Sequence, residues 1–293
     1  MNSINNCPVC KGTKFKKHLT CIDYTVSSEE FSIVNCNSCG FTFTNPIPEE
    51  NKIGAYYESD DYISHSNTSK GIINSLYQLV RNFTLKKKVR LLSSLSSGKN
   101  LLDIGCGTGE FLNQAKQSGF KTKGIEPSPV AREQGIKNFG LSISVESEIK
   151  NIKDKSYDLI TMWHVLEHVY HLNDRIKELK RILKNDGRLI IAVPNHHSYD
   201  AKHYKEYWAA YDVPIHLYHF TPKTIQQLFK NHGLELHKTL PMKFDSFYVS
   251  MLSEKYKSGK VNLAKAFKIG LLSNLKAQND KTYSSQIYIF RKN

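Results

Sequence analysis

From residue 98 onward, short apolar runs bounded by turn residues alternate with stretches of helical spacing. That alternation predicts an α/β chain, a mostly parallel sheet of seven strands joined by crossover helices. Leu101, Leu102 and Ile104 form the first run, and Phe111 to Lys116 begins the first helix. The second strand falls at 123–126, a helix starts through Pro127 to Arg132, and the third strand falls at Ile143-Ser144-Val145. The fourth, Tyr157 to Trp163, leads through Leu166, Glu167 and His168 into a helix that continues from Arg175 to Leu183. Asn185, Asp186 and Gly187 then predict a turn before a fifth strand over 188–195. Thr221 caps a helix running to about His232, with Pro222 at its first position. A sixth strand begins at Leu234, and a seventh over 286–290 is expected to be the antiparallel one.

Three regions lie outside that rhythm. Residues 1–47 predict a small β-rich lobe, closed by Asn45-Pro46-Ile47-Pro48. Residues 48–97 predict a helical linker in which Pro48, Glu49 and Glu50 open a short helix through Tyr57. After a polar loop over 58–71, Ile73, Leu76, Leu79, Val80 and Phe83 recur at helical spacing in a helix from Ile72 to about Leu95. The remaining domain, 98–293, carries a helical insertion at 241–284 before its last strand. There Val261, Ala264, Phe267, Leu271 and Leu275 make an apolar stripe beside lysines. Such a stripe suits packing over the core, packing against a second subunit, or lying on a membrane surface.

The chain of 293 residues is 40% hydrophobic, enough for a sizeable core. It has no apolar run long enough for a membrane-spanning helix, and its first residues lack the pattern of a signal peptide, so a soluble, cytoplasmic protein is expected. The net charge of +14 is unevenly placed. No acid occurs from Tyr62 to Leu102, where Lys70, Arg81, Lys86, Lys87, Lys88, Arg90 and Lys99 fall, nor from Lys255 to Asn279, which holds six lysines. Such surfaces attract phosphates, nucleic acid or anionic lipid heads, or serve as solvated faces.

The chemistry centres on residues 103–110, Asp-Ile-Gly-Cys-Gly-Thr-Gly-Glu, at the end of the first strand. Glycines there allow a tight turn and a close approach to a ligand, while Glu126 at the end of the second strand can accept both hydroxyls of a ribose. A nicotinamide-type turn is one reading. The spacing resembles instead the class I S-adenosylmethionine-dependent methyltransferases, whose first motif is Asp-x-Gly-x-Gly-x-Gly. The resemblance implies a Rossmann-like methyltransferase sheet and a cofactor held by Asp103, Gly105, Cys106, Gly107, Gly109 and Glu126, with Glu146 near the adenine. Trp163 and His164, at a strand's carboxyl end, belong at its methionine end. The run Trp163 to His168 resembles the "WHVLEH" signature of a subgroup near the ubiquinone O-methyltransferases; His168 is read as a hydrogen-bonding histidine.

Cys7-Pro8-Val9-Cys10 and Cys36-Asn37-Ser38-Cys39 are two C-x-x-C knuckles 25 residues apart. Four thiolates so paired predict a closed, structural zinc site at Cys7, Cys10, Cys36 and Cys39. His18 and Cys21 break the pattern. A zinc lobe before a methyltransferase core also resembles the zinc-containing sugar C-methyltransferases, which place a Tyr and a His three residues apart before an aromatic pair. Here His216-Leu217-Tyr218-His219-Phe220 keeps the His and Phe spacing, but Val213 stands where the Tyr would be, and the large carboxyl-terminal domain of those enzymes has no counterpart. Transfer to oxygen is therefore the expectation.

The stretch 196–220 holds five histidines and seven aromatic residues, expected to wall an acceptor pocket and supply a base. No His pair in it has metal-ligand spacing. His216 is the candidate general base and His164 the candidate positioning residue. The expected acceptor is a small or lipid-linked anionic molecule, such as a sugar of cell-surface polysaccharide synthesis. Two alternatives stand beside it, methylation of RNA held by the zinc lobe and basic helix, and a non-catalytic adaptor that binds the cofactor. The sequence leaves oligomeric state open.

Overall fold

The computed structural model describes residues 1–57 and 72–293; the loop expected over 58–71 lies outside the described residues. Strands β1 (Phe15–Ile22), β2 (Glu30–Cys36) and β3 (Thr42–Thr44) form an antiparallel meander. A 3₁₀ turn at Ile53–Tyr57 stands where a short helix from Pro48 was expected. Helix α1 (Ile72–Leu95) falls where the apolar spacing places it.

The alternation then runs β4 (Asn100–Ile104), α2 (Glu110–Gln117), β5 (Lys121–Ile125), α3 (Pro129–Phe139), β6 (Ile143–Ser144), β7 (Tyr157–Trp163), α4 (Leu172–Ile182) and β8 (Leu183–Pro194). It continues with α5 (Tyr199–Tyr204), β9 (Tyr218–His219), α6 (Pro222–Lys230), β10 (Leu234–Pro241), α7 (Asp245–Ser258), α8 (Leu263–Asp280) and β11 (Ser285–Lys292). Seven strands make one sheet in the order β10-β11-β8-β7-β4-β5-β6. The strands from β8 to β6 are parallel, and β11 runs antiparallel to both β8 and β10, as expected. Leu101, Leu102, Leu159, Ile160, Ile190 and Ile191 are wholly buried, as strands covered on both faces require.

Two local expectations change. Leu166–His168 is a 3₁₀ turn, and the following helix begins only at Leu172, because His164 takes the left-handed conformation (φ 57°) and turns the chain before a helix can start. The Asn185-Asp186-Gly187 turn lies within β8, where pairing jumps from Leu183 opposite Tyr157 to Arg188 opposite Leu159; the three residues are taken up as a bulge.

The meander acquires its fourth strand from far along the chain. β9 pairs with β3, His219 opposite Thr42 and Tyr218 opposite Phe43. Phe41 stacks on Tyr218 and packs against Phe220, with ring centroids 5.9 and 5.7 Å apart. The amino-terminal lobe therefore shares a sheet and a core with the residues that precede α6. Beyond β10, α7 and α8 form a helical hairpin. Asp200, fully buried, accepts hydrogen bonds from Trp208 Nε1 (2.7 Å), Ser273 of α8 (2.6 Å) and Ser284 (2.6 Å), fixing that hairpin to the core. Among the described residues, no helix is long and apolar enough to cross a membrane.

Candidate functional site

β4 delivers its end into the glycine turn, where the backbone N–H groups of Gly105 and Cys106 donate to the Ile125 carbonyl (2.7 and 3.2 Å) and lock the turn to β5. Two glycines are required by shape. Gly105 (φ 69°) abuts Val165, and a Cβ there would stand 2.3 Å from its methyl; Gly109 (φ 84°) leads into α2, and a Cβ added to it would stand 2.4 Å from Leu141. Glu126, 8% exposed, accepts from the N–H of Gly107 at one oxygen (2.8 Å) and of Ser128 at the other (2.9 Å). Each oxygen keeps a further acceptor position. Asp103 is buried beneath the turn and accepts a 2.6 Å bond from Thr161; burial outweighs that bond and lifts its carboxyl to about 7. Cys106 takes part through its backbone, its sulfur tucked against Gly124.

Trp163 closes the end of β7. Its indole Nε1 is buried without a hydrogen-bond partner, Lys88 of α1 lies 4.2 Å over its ring, and Phe111 meets it edge-on. A buried N–H left without a partner at the carboxyl end of a parallel strand is a donor that a polar ligand can satisfy. Glu146, by contrast, is engaged by Arg175 of α4.

Next to Trp163, the 3₁₀ turn after His164 sets Glu167 at the centre of a group of histidines. Glu167 is wholly buried, and neither carboxylate oxygen has a hydrogen bond; His164 Nδ1 stands 3.5 Å away. Glu167, His168 and His216 each bring a ligand atom within 4.8 Å of the others, and the rings of His168 and His216 meet edge-on at 4.6 Å. Burial alone would lift the Glu167 carboxyl, yet His164 and His216 hold it below its ordinary value. Burial likewise pulls His164 down, but Asp245 (3.1 Å from Nε2) and Glu167 override it and raise its pKa to about 9. His164 is thus a cation at neutral pH, and a strained one, since left-handed backbone in a non-glycine residue marks a conformation held by its surroundings. His168 is the opposite case. Burial and repulsion from His216 push it down to about 3, and its Nδ1–H donates to the Ile215 carbonyl (3.1 Å). His216 Nδ1–H donates to the Ala210 carbonyl (2.9 Å), which leaves Nε2 as the nitrogen available for proton exchange; Asp212 Oδ2 is 4.0 Å from it.

Of the five histidines in 196–220, only His216 joins this cluster. His219 lies in β9 bonded to Thr44 (3.2 Å), and His196 meets His18 edge-on. Tyr204, Trp208 and Tyr211 pack into a core with Phe31 and Ile33. The aromatic residues mainly cement the loop to the amino-terminal lobe, a correction to the expectation that they wall a pocket.

At the other end of that lobe, the four cysteine sulfurs of Cys7, Cys10, Cys36 and Cys39 lie within 4.8 Å of one another, Cys7 to Cys39 at 3.6 Å and Cys10 to Cys36 at 3.4 Å. Backbone N–H groups of Val9 and Cys10 point at the Cys7 sulfur, and those of Ser38 and Cys39 at Cys36. This donor set suits a tetrahedral thiolate site, where metal–sulfur bonds are about 2.3 Å.

A methyltransferase-domain model matches residues 78–239, more than half of the chain. The chain belongs to the methyltransferase-domain family. The ubiquinone biosynthesis O-methyltransferase of Nitrosococcus oceani is 27% identical to this methyltransferase over 179 residues, 56% of this chain and 73% of that one. The mitochondrial ubiquinone biosynthesis O-methyltransferase of Schizosaccharomyces pombe is 30% identical over 104 residues, so that this chain spans 38% of that relative's length. Among solved structures, magnesium protoporphyrin IX methyltransferase from Synechocystis PCC 6803, with bound SAH, superposes with a TM-score of 0.56 at 13% identity, covering 84% of this chain and all of that one. That likeness is one of fold, the class I S-adenosylmethionine-dependent fold.

For this methyltransferase the sequence pattern brought forward Glu126, Trp163, His164 and His216 but passed over three residues that the structure sets in contact with Trp163 or His164. Glu167 stood within the quoted motif, and an acid between two histidines was the signal available. Lys88 sat in the acid-free stretch without a mark of its own. Asp245 comes from the insertion, and nothing near it in sequence foretells its pairing with His164.

Proposed function

We propose that this methyltransferase moves the methyl group of S-adenosylmethionine to a hydroxyl oxygen of a small or lipid-linked anionic acceptor, such as a sugar of cell-surface polysaccharide synthesis. The bound cofactor supplies an electrophilic methyl on a sulfonium. In this reading Gly105, Cys106, Gly107 and Gly109 give it a backbone cradle over Asp103, Glu126 takes the ribose hydroxyls, Glu146 borders the adenine and Trp163 Nε1 meets the methionine end. Cys7, Cys10, Cys36 and Cys39 hold a structural zinc.

The observation that carries the choice of residues is the sealed Glu167 carboxylate among three histidines. In this reading His216, set beside that carboxylate, takes the acceptor proton at Nε2 as the acceptor oxygen attacks. The acceptor O–H proton goes to Nε2, the new bond forms from oxygen to the methyl carbon, and the carbon–sulfur bond breaks. His164, already cationic, cannot serve as base; it positions the acceptor or the methionine end by charge, which suits an anionic acceptor. Alignment of the two reactants supplies most of the acceleration.

The test begins with a screen of nucleotide sugars, lipid-linked sugars, quinol precursors and RNA for methyl uptake. With the acceptor found, His216→Asn should lower turnover by about 10²–10⁴ while S-adenosylhomocysteine affinity stays unchanged. Full turnover in His216→Asn removes it from the mechanism, and transfer to RNA alone selects the nucleic-acid reading.

A second reading rests on the same carboxylate, whose oxygens accept no hydrogen bond. Glu167, His168 and His216 are a donor set for a divalent cation, which would acidify the acceptor hydroxyl by direct coordination. Turnover lost on chelation and restored by Mg²⁺ or Mn²⁺, with the cysteine-bound zinc still present, selects the cation. Turnover indifferent to chelation selects the free base.

A further inference from the structure

We propose that the α7–α8 hairpin is a docking surface for an anionic lipid bilayer, with the stripe Leu263, Phe267, Leu271 and Leu275 as its inserted edge. A helix on a soluble protein usually shows one apolar stripe, turned inward. α8 has two. Ala266, Ile269, Gly270, Ser273 and Ala277 are buried, and α7 crosses so closely that a Cβ on Gly270 would stand 2.7 Å from the Phe247 ring. The second stripe faces outward, with Leu263 53%, Phe267 60%, Leu271 42% and Leu275 49% exposed. It does not end with the helix. Asn274 Nδ2 donates to the Lys243 carbonyl (2.9 Å), which sets exposed Phe244 beside the carboxyl half of α8, and Phe244 meets exposed Phe83 of α1 edge-on at 6.1 Å.

Charge decides the occupant. No acid occurs between Lys255 and Asn279, and Lys255, Lys257, Lys260, Lys268 and Lys276 are all exposed; Lys265 pairs with Glu254 at 3.0 Å. A second copy of the chain, related by two-fold symmetry, would set these lysines against themselves. A nucleic acid would satisfy the lysines and leave the Leu and Phe edge wet. A bilayer carrying anionic headgroups satisfies both at once, the apolar edge entering the acyl boundary and the lysines remaining among the phosphates.

The surface is also close to the chemistry, because Asp245, the first residue of α7, is the partner of His164. Delivery of a lipid-borne acceptor along this face rests on the proposed function; docking itself does not.

Flotation of the full-length protein with vesicles, without cofactor or acceptor, reads docking alone. Binding is expected to vesicles of phosphatidylglycerol and phosphatidylcholine and not to phosphatidylcholine alone. It should weaken by at least about tenfold in Phe267→Ser/Leu271→Ser and in Lys257→Gln/Lys260→Gln/Lys268→Gln, all exposed positions whose change leaves the melting temperature in place. Three outcomes overturn the proposal: no binding to the anionic vesicles, binding unaffected by the Phe267/Leu271 pair, or light scattering that shows a dimer dissolved by that pair without any vesicle binding. Because no turnover is measured, failure of the methyl-transfer reading leaves this result standing.

Discussion

From Asp103 to Ser128 the glycine turn closes on itself within a single strand–helix–strand unit; the bond from Gly107 to Glu126 spans 19 positions. The Glu167 cluster is assembled otherwise. His164, Glu167 and His168 come from the end of β7, His216 from the loop before β9, and Asp245 from the insertion. His216 is itself held by Thr44 of the amino-terminal lobe, 172 positions away, whose hydroxyl donates to the His216 carbonyl (2.8 Å). The first region draws mostly on its own segment, with Thr161, Val165 and Leu141 lent from close by in the sheet. The second needs four segments to arrive together, so damage far from the chemistry should reach it while sparing the glycine turn.

The strongest way to break that contrast is to disrupt the proposed zinc site of the lobe. One zinc per chain is expected by elemental analysis, and Cys36→Ser should lose it, because structural zinc contributes about 10–16 kcal/mol to the folds that need it. With β3 disordered, β9 loses its partner and turnover should vanish, whereas S-adenosylhomocysteine binding by calorimetry should persist. If binding vanishes as well, the two regions form one cooperative unit and the contrast fails. Next in size, Glu126→Ala should leave turnover limited by cofactor affinity. It removes charge-assisted hydrogen bonds of about 1.5–3 kcal/mol each and strands the N–H groups of Gly107 and Ser128, so a loss of affinity of at least about tenfold is expected for the cofactor, with the lobe's zinc retained.

A smaller effect should come from Thr44→Val, which takes a donor from the buried His216 carbonyl at a cost of about 1–3 kcal/mol. The expected signature is a lower melting temperature and reduced turnover with unchanged cofactor affinity. Smallest is the effect of Asp245→Asn, read through pH. The folded pKa of His164, about 9, lies above its ordinary 6.5, so the stability gained from its pairing is complete below about pH 6.5 and is lost as pH rises through about 9. Melting temperatures taken across that range should fall in the native protein, and the fall should shift to lower pH when Asp245 is neutralised. Identical profiles would detach Asp245 from His164.

The same contrast governs what was legible beforehand. The glycine turn, Glu126 and the cysteine knuckles are short-range patterns whose spacing is itself the signal. Trp163 and His164 could be placed because ligands gather at the carboxyl ends of parallel strands. The burial of Glu167 could not, since it depends on His164 adopting left-handed backbone in place of a helix start. β9 has two residues and no periodicity, so its pairing with β3 has no trace in the apolar pattern. The histidine-rich loop misled for a related reason: aromatic density reads alike whether it lines a cleft or a core, and here most of it faces Phe31, Ile33 and Phe41.

The β3–β9 pairing also orders events during synthesis. The amino-terminal lobe leaves the ribosome first, with its cysteines able to gather before any of the larger sheet exists. Its fourth strand follows some 175 positions later, a wait of roughly ten seconds or more at about 5–20 residues per second. For that interval β3 presents an unpaired edge, the kind of template that recruits strands from other chains. A lobe begun first is completed only when Tyr218 and His219 emerge, so a nascent chain stalled between Thr44 and Tyr218 would be a client for chaperones with its four cysteines already gathered.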